Sequence, residues 1–184
     1  MVKRESPFKI SPQARLLFDE PLAPITSFHI GGPAQLLLIP AEIEDIVNGL
    51  RYAAAHHLPW RVLGNGTNIL IPDDGLPGLT IKLWHTLNEI AVMGTRLRAQ
   101  AGADMLTVAM RAGEAGLAGL EWGCGIPGTI GGAVFMNAGV PGDEIKDTLV
   151  EATVITNHGT LKTFAVEEME FSYRLLWGRE APVK

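Results

Sequence analysis

Cysteine and basic residues are both scarce in this sequence. The single cysteine, Cys124, excludes an internal disulfide framework and any zinc site built from clustered cysteines. Lysine and arginine together number 15 against 20 aspartates and glutamates, which gives a net charge of −5. A general nucleic-acid surface needs a basic stripe that neutralises phosphates, so nucleic acid is not an expected partner.

Long apolar runs are missing too. No stretch reaches the roughly 18 apolar residues that a bilayer-spanning helix needs, so no membrane partner is expected. The opening residues, MVKRESPFKI, contain basic side chains but neither the apolar core nor the small-residue cleavage site of a secretory signal. A hydrophobic fraction of 47% is typical of a globular protein. These features together predict a cytoplasmic globular protein.

Apolar periodicity predicts more strands than helices. Residues 1–33 contain five prolines and are expected to form extended loops, with at most a turn at 15–18. We therefore expect an α+β fold with two lobes, residues 1–88 and 89–184. Helices are predicted at 42–57, at 104–114 with Asp104 as N-cap, and briefly at 166–171. Strands are predicted at 34–39, 61–63, 69–71 and 79–83, with hairpins within 87–101 and 149–165.

Glycine is concentrated between Gly119 and Gly139, where seven of 21 residues are glycine and most of the others are apolar. Each glycine in a regular element costs about 0.5–1 kcal/mol relative to alanine, so this segment gives up intrinsic stability. Without a Cβ, however, the backbone can reach positive φ and can approach a ligand closely. We interpret the segment as a wall against a flat or phosphorylated ligand. The alternative is a glycine-rich packing corner.

A second glycine-containing loop lies between two predicted strands at residues 64–68, with the sequence Gly-Asn-Gly-Thr-Asn. Successive small residues in such a loop can direct several backbone N–H groups at one anion. The loop lacks the lysine and the spacing of a Walker A motif, so nucleotide hydrolysis is not indicated. An ordinary turn rich in Asn and Gly explains the same residues about as well.

The glycine-rich segment also fits the dinucleotide pattern G-x-G-x-x-G, through Gly123, Gly125 and Gly128. The surroundings disfavour that interpretation. Only residues 120–122 are available as the preceding strand, and Pro127 is a poor opening for the long helix that must follow. A Rossmann dinucleotide site is therefore not favoured.

Four motifs occur in the order and approximate spacing of one flavoenzyme family: FHIGGPA at 28–34, LGNGTNILIPDDGLPG at 63–78, GLEWGCGIPGTIGGAVFMNAG at 119–139 and FSYR at 171–174. On these motifs the sequence resembles the UDP-N-acetylenolpyruvoylglucosamine reductase family. The resemblance implies an FAD-binding module of the vanillyl-alcohol-oxidase type, with two α+β lobes and the flavin between them. Members of the family reduce the enolpyruvyl ether of UDP-N-acetylglucosamine to UDP-N-acetylmuramate, and NADPH first reduces the flavin.

The resemblance also implies roles for particular residues. Arg174 matches the arginine that steadies the substrate carboxylate, a role suited to a permanently charged bidentate fork. The loop 64–68 would wrap the FAD pyrophosphate, and the glycine-rich segment would line the cofactor, with Asn137 and Gly139 as a second layer. The implied cofactor-binding residues are Gly64, Asn65, Gly66, Thr67, Asn68, Gly125, Ile126, Pro127, Gly128, Thr129, Gly132, Ala133, Asn137 and Gly139.

The sequence departs from the family after Arg174. Leu176 stands where the family has a serine, and no later residue matches the proton-donating serine or the late catalytic glutamate. The chain is therefore expected to be the cofactor-binding part of a longer protein, or a truncated copy. Two alternatives stay open: a flavin-binding module without catalysis, and another flavin oxidase on the same scaffold.

Two further features have ordinary interpretations. Cys124 lies within the glycine-rich segment and could be a reactive thiol or a covalent flavin anchor, but a small buried residue is the favoured interpretation. His56 and His57 end a predicted helix and have no partner at metal-ligand spacing, so no metal site is expected.

Overall fold

The structure of the chain, a computed structural model, describes residues 5–172. Within that range the chain divides into two compact units, one formed by residues 5–87 with 157–160 and the other by residues 88–156 with 161–172. Each unit contains both helices and strands, so the predicted α+β class is confirmed. Across residues 5–172, every helix is too short or too polar to cross a membrane.

The first unit is built on a four-stranded sheet. Strand β1 (Arg15–Pro21) is antiparallel to β2 (Pro33–Ile39). Strands β2 and β3 (Trp60–Leu63) both run parallel to β4 (Leu76–Lys82), which lies between them. Helix α1 (Ile43–Ala55) connects β2 to β3 and supplies the crossover that parallel strands require.

Apolar side chains from the helix and the strands form the core of this unit. The sequence predicts an apolar face of α1 formed by Ile43, Ile46, Val47, Leu50 and Ala54. Ile46, Val47 and Leu50 are buried as predicted, whereas Ile43 and Ala54 are exposed and Ala53 is buried instead. A separate buried cluster joins the strands to the segments around them, and it consists of Leu22, Ala34, Leu37, Leu63, Ile71 and Leu76. Leu63 belongs to this cluster and is the last residue of β3, so the loop at 64–68 begins directly after a buried residue.

The second unit consists of short hairpins around two helices. Strands β5 (Ile90–Met93) and β6 (Arg96–Ala99) pair as a hairpin and are followed by α2 (Met105–Glu114) and α3 (Ile130–Phe135). Two more antiparallel hairpins come after α3. They are formed by β7 (Gly139–Val140) with β8 (Asp143–Glu144), and by β9 (Glu151–Ile155) with β10 (Leu161–Ala165).

Helix α2 begins as predicted, with Asp104 as its N-cap and a bond from the Thr107 N–H to the Asp104 carboxylate at 3.0 Å.

Three other expectations about secondary structure were wrong. Residues 15–21 form strand β1 rather than a loop with a short turn, because β2 supplies a hydrogen-bonding partner that local sequence does not reveal. Residues 69–71 are not a strand, and Ile71 is buried in irregular backbone. The expected helix at 166–171 is only a 3₁₀ turn, Val166–Glu168.

Asp45, in the first turn of α1, is 1% exposed, yet its carboxylate accepts several hydrogen bonds. Oδ1 accepts from the Ser11 N–H at 2.6 Å, and Oδ2 accepts from the Ser11 hydroxyl at 2.9 Å. The N–H groups of Ala41 and Glu42 donate to Oδ2 at 2.9 and 3.0 Å. Burial by itself raises the pKa of Asp45, but these hydrogen bonds oppose it and hold the pKa below its ordinary value.

Replacing Asp45→Asn should lower the free energy of unfolding by about 1–3 kcal/mol at neutral pH, because the new amide NH₂ group faces other donors. The matched control is Glu44→Gln, since Glu44 is the preceding residue of α1 and its side chain is 62% exposed. Urea unfolding followed by circular dichroism measures both variants. Equal losses in the two would contradict a structural role for the Asp45 carboxylate.

The Asp45 contribution should also depend on pH. A carboxylate whose folded-state pKa is lowered stabilises fully above the unfolded-state pKa of about 3.9, and the stabilisation disappears as pH falls through the folded-state pKa. The difference in unfolding free energy between wild type and Asp45→Asn should therefore shrink below about pH 4.

Candidate functional site

The loop at residues 64–68 leaves the sheet at the end of β3, beside the parallel strand β4. It is a run of bends without regular structure. Within residues 5–172, the backbone N–H groups of Gly64, Asn65, Gly66 and Asn68 donate to no protein acceptor. Backbone donors in folded proteins normally find a partner, so these groups are available to an anion or to water. A phosphate-bearing cofactor therefore fits this loop.

Gly66 is held where a side chain cannot be accommodated. Its φ is +70°, and a Cβ built on it would lie 2.5 Å from the Ile25 carbonyl oxygen and 3.0 Å from the Thr26 Cα. The Gly66 carbonyl accepts a hydrogen bond from the Ser27 N–H at 3.0 Å. Close contact with residues 25–27 therefore holds Gly66 in place, while the N–H groups of Gly64, Asn65, Gly66 and Asn68 have no acceptor within residues 5–172.

The segment around Thr26 is a part of the site to which sequence reasoning assigned no role. Thr26 is 3% exposed, and its hydroxyl lies 3.3 Å from the Ala23 carbonyl oxygen and 3.2 Å from that of Ile30. Phe28 and Ile30 in the same segment are 60% and 49% exposed. The motif FHIGGPA begins at Phe28, directly after the residues 25–27 that contact Gly66, but a motif alone does not predict that contact.

In the second unit, the glycine-rich segment begins with a 3₁₀ turn, Glu121–Gly125, and continues into α3. Gly123 and Gly125 thus lie in a 3₁₀ turn and not in the strand-to-helix turn of a dinucleotide-binding motif. Thr129 is the N-cap of α3 and is 3% exposed. Its backbone forms an antiparallel bridge with Asp104, the N-cap of α2, so the starts of the two helices are joined.

The first N–H groups of α3 are all occupied by protein acceptors. The bonds run from Ile130 N to Ala103 O at 2.9 Å, from Gly131 N to Ala101 O at 2.8 Å, and from Gly132 N to Thr129 Oγ1 at 3.2 Å. This helix start therefore has no free donors for a phosphate. The segment offers a small-residue surface, whereas the loop at 64–68 offers donors.

The residues predicted to line the cofactor differ in their accessibility. Thr129 and Ala133 are buried, and Ala133 packs in a cluster with Met105 and Ile145. Gly125, Pro127 and Gly132 are exposed, and Ile126 and Gly128 are half-buried. The segment thus has accessible residues at its surface, and Thr129 and Ala133 anchor it in the interior of the unit.

Asn137 and Gly139, predicted as a second layer, are both engaged within the protein. Asn137 is 2% exposed, and its Nδ2 donates to the Ser172 carbonyl at 3.2 Å. A Cβ on Gly139 would lie 2.2 Å from the Asp143 carbonyl oxygen, so only glycine permits the close approach of β7 to β8. Neither residue directs a free polar group at a ligand in this unit.

Two further residues that the sequence singled out are Arg174 and Cys124. Arg174, the predicted catalytic residue, lies outside the described residues, as does its neighbour Tyr173. The favoured interpretation of Cys124 as a small buried residue was wrong, because Cys124 is exposed in the 3₁₀ turn.

An α+β domain that presents free loop N–H groups and a glycine-rich surface is typical of a module that binds a phosphate-bearing cofactor. Comparison with known families identifies the cofactor. Residues 34–165 match the family described as the FAD binding domain. The match covers more than half of the chain, so the chain belongs to this family, and FAD is its cofactor.

A curated relative has a more particular name. The chain is 47% identical over 162 residues to the UDP-N-acetylenolpyruvoylglucosamine reductase of Paramagnetospirillum magneticum, and the aligned region covers 88% of this chain and 52% of that protein. The sequence resemblance to this reductase family is thus confirmed. The chain spans about half the length of the curated relatives it matches.

Solved structures agree on the fold. The crystal structure of the UDP-N-acetylenolpyruvylglucosamine reductase from Thermus caldophilus matches with a TM-score of 0.69 at 31% identity, covering 89% of this chain and 56% of that one. The 6-hydroxy-D-nicotine oxidase of Arthrobacter nicotinovorans matches with a TM-score of 0.65 at 18% identity, covering 89% and 38%. The second likeness shows the fold alone. The predicted flavoprotein fold is confirmed.

Replacing Gly66→Ala should destabilise the chain more than a glycine substitution elsewhere with the same φ. Gly116 is the matched control, because its φ is +69° and nothing lies within 4 Å of a Cβ built on it. Gly116→Ala should cost about 1–2 kcal/mol for the left-handed backbone alone. Gly66→Ala should cost a further 1–3 kcal/mol or so from the collision with residues 25 and 26. Equal urea midpoints for the two variants would contradict this assignment.

Proposed function

We propose that this chain carries the FAD-binding domain of a cytoplasmic reductase that converts UDP-N-acetylglucosamine enolpyruvate to UDP-N-acetylmuramate with NADPH. The reaction supplies a precursor of peptidoglycan. The observation that carries the proposal is the loop at 64–68, whose unused backbone donors suit the pyrophosphate of FAD in a chain of the FAD-binding family. The identity to reductases of that name supports the choice of substrate.

In the first unit, the N–H groups of Gly64, Asn65, Gly66 and Asn68 are proposed to hold the pyrophosphate, and Thr67 is proposed to contact it from the same loop. No lysine or arginine lies in the loop, so within it backbone dipoles are the groups proposed to stabilise the phosphates. The contact between Gly66 and Ser27 supports this arrangement, because it holds the loop in place before any ligand arrives.

In the second unit, the accessible part of the glycine-rich segment is proposed to contact the cofactor. Gly125, Pro127 and Gly132 are exposed there, and Ile126 and Gly128 are half-buried. Small residues let a flat ring system approach the backbone closely. The buried residues Thr129 and Ala133 are proposed to hold this surface in shape, since Thr129 joins the starts of α2 and α3.

The reaction also needs a group that stabilises charge on the substrate. FAD, when bound, supplies the hydride chemistry that connects NADPH with the enolpyruvyl carbon. Arg174 is proposed to bind the substrate carboxylate and to stabilise the negative charge that extends onto it as the hydride arrives. This assignment rests on the position of Arg174 in the FSYR motif.

The purified chain, mixed with FAD and separated from unbound flavin, should retain the visible flavin absorption bands. When the chain is joined to a substrate-binding part that supplies the proton-donating serine and the glutamate, NADPH should bleach these bands under anaerobic conditions, and the enolpyruvyl substrate should restore them. A folded but colourless protein would contradict the cofactor assignment. A flavin that air reoxidises with release of hydrogen peroxide, and that the enolpyruvyl substrate does not reoxidise, would favour an oxidase instead.

Replacing Arg174→Ala should slow the reoxidation of reduced flavin by the enolpyruvyl substrate by about 100-fold or more, because a charge-stabilising donor is lost. Arg174→Lys keeps the charge but not the fork, so a smaller loss is expected. Bleaching by NADPH should change by less than about threefold, since Arg174 acts only on the second substrate. Stopped-flow absorbance measures both half-reactions, and an unaltered reoxidation rate in Arg174→Ala would exclude the proposed role.

A further inference from the structure

Asn65 and Gly66 form an Asn-Gly pair in the loop at 64–68. In such a pair, the backbone nitrogen of the glycine can attack the side-chain carbonyl carbon of the asparagine, because glycine has no side chain that crowds the approach. Asparagine is accordingly one of the thermolabile residues of proteins. Here the pair lies among the backbone donors proposed to hold phosphate, so the reaction would alter the cofactor site itself.

Both reacting groups are unengaged. Within residues 5–172, the Gly66 N–H donates to no protein acceptor, and the side-chain amide of Asn65 makes no hydrogen bond. Asn65 is half-buried and Gly66 is buried. A backbone N–H group needs a partner, so water must meet the Gly66 N–H in the FAD-free chain and can accept its proton.

The contacts that hold the loop do not keep the two groups apart. Residues 64–68 are a run of bends without regular structure. The Ser27 N–H bonds to the Gly66 carbonyl at 3.0 Å, and residues 25 and 26 crowd the Cα of Gly66. The rotations that bring the Gly66 nitrogen to the side-chain carbon are about bonds of Asn65, and none of these contacts involves Asn65.

We propose that Asn65 is a deamidation site that the pyrophosphate of bound FAD protects. This inference rests on the proposed function, because it assumes that the loop at 64–68 holds the pyrophosphate. When the pyrophosphate accepts the Gly66 N–H, the nitrogen keeps its proton and is covered, so it does not attack. The bound cofactor therefore preserves the loop that binds it.

The reaction needs no oxidant or reductant. The Gly66 nitrogen forms a bond with the side-chain carbonyl carbon of Asn65, and the bond from that carbon to Nδ2 breaks. Ammonia leaves with the proton that water removed from the Gly66 nitrogen. Water then opens the cyclic imide at either of its carbonyl carbons, which gives aspartate or isoaspartate. Both products place a carboxylate beside the proposed phosphate donors, and isoaspartate also lengthens the backbone.

Peptide mass spectrometry of the folded chain, incubated with and without FAD, measures the conversion at each asparagine. Asn68 is the internal control, because it is more exposed than Asn65 in the same loop but is followed by the β-branched Ile69, which crowds its own nitrogen. Without FAD, Asn65 should convert about tenfold faster than Asn68 or more. With FAD at about a hundredfold over its dissociation constant, about one molecule in a hundred is free, so conversion at Asn65 should slow by up to about 100-fold.

Three variants connect the modification to cofactor binding. Asn65→Asp reproduces one product and should weaken FAD binding by about tenfold or more, because the new carboxylate repels the pyrophosphate. Asn88→Asp is the matched control, since Asn88 is exposed and lies outside the loop, and its FAD affinity should change by less than about threefold. Asn65→Gln keeps an amide but does not close the same ring. Incubation without FAD should therefore reduce later FAD binding in the wild type and not in Asn65→Gln.

The outcomes distinguish this inference from the proposed function. If the chain does not bind FAD, the proposed function fails and the protective role fails with it. If FAD binds and shields residues 64–68 from hydrogen exchange, but Asn65 converts no faster than Asn68 in the FAD-free chain, only the modification site is overturned. Equal conversion at Asn65 with and without bound FAD would overturn the protection.

Discussion

Every backbone N–H group needs a hydrogen-bond partner, and the two glycine-containing regions meet this need in different ways. At the start of α3, the N–H groups bond to Ala101, Ala103 and Thr129, so this region is complete without a ligand. In the loop at 64–68, four N–H groups have no acceptor within residues 5–172. Unsatisfied donors are costly when they leave water, so a loop that keeps them available is suited to an anion.

Such a loop must be held in place by other means. The Ser27 N–H bonds to the Gly66 carbonyl, and Thr26 stabilises the turn that brings residues 25–27 against Gly66. These contacts use the Gly66 carbonyl and leave the N–H groups of Gly64, Asn65, Gly66 and Asn68 without an acceptor in the part of the chain that the structure describes. Phosphate binding by backbone alone also agrees with an acidic chain, because no excess of lysine and arginine is needed to neutralise the cofactor.

In the second unit, too, the residues proposed to contact the cofactor differ from the residues that hold them in place. Small accessible residues form the surface of the glycine-rich segment, and beneath them Ala133 packs with Met105 and Ile145. After the C-cap of α3, Met136, the side-chain amide of Asn137 donates to the Ser172 carbonyl and accepts from the Lys146 N–H. Because α3 carries both accessible residues and the buried Ala133, the surface proposed for the cofactor rests on a packed support, which is what precise placement of a bound group requires.

The sequence by itself determined the α+β class, the flavin-binding character, and the helices α1 and α2, because amphipathic periodicity, an aspartate cap and glycine motifs are local signals. Only the tertiary structure decided the rest. Strand β1 exists because β2 pairs with it, and the start of α3 is paired by residues from before α2. The exposure of Cys124 and the partners of Asn137 likewise depend on residues distant in the chain, and no local pattern records such contacts.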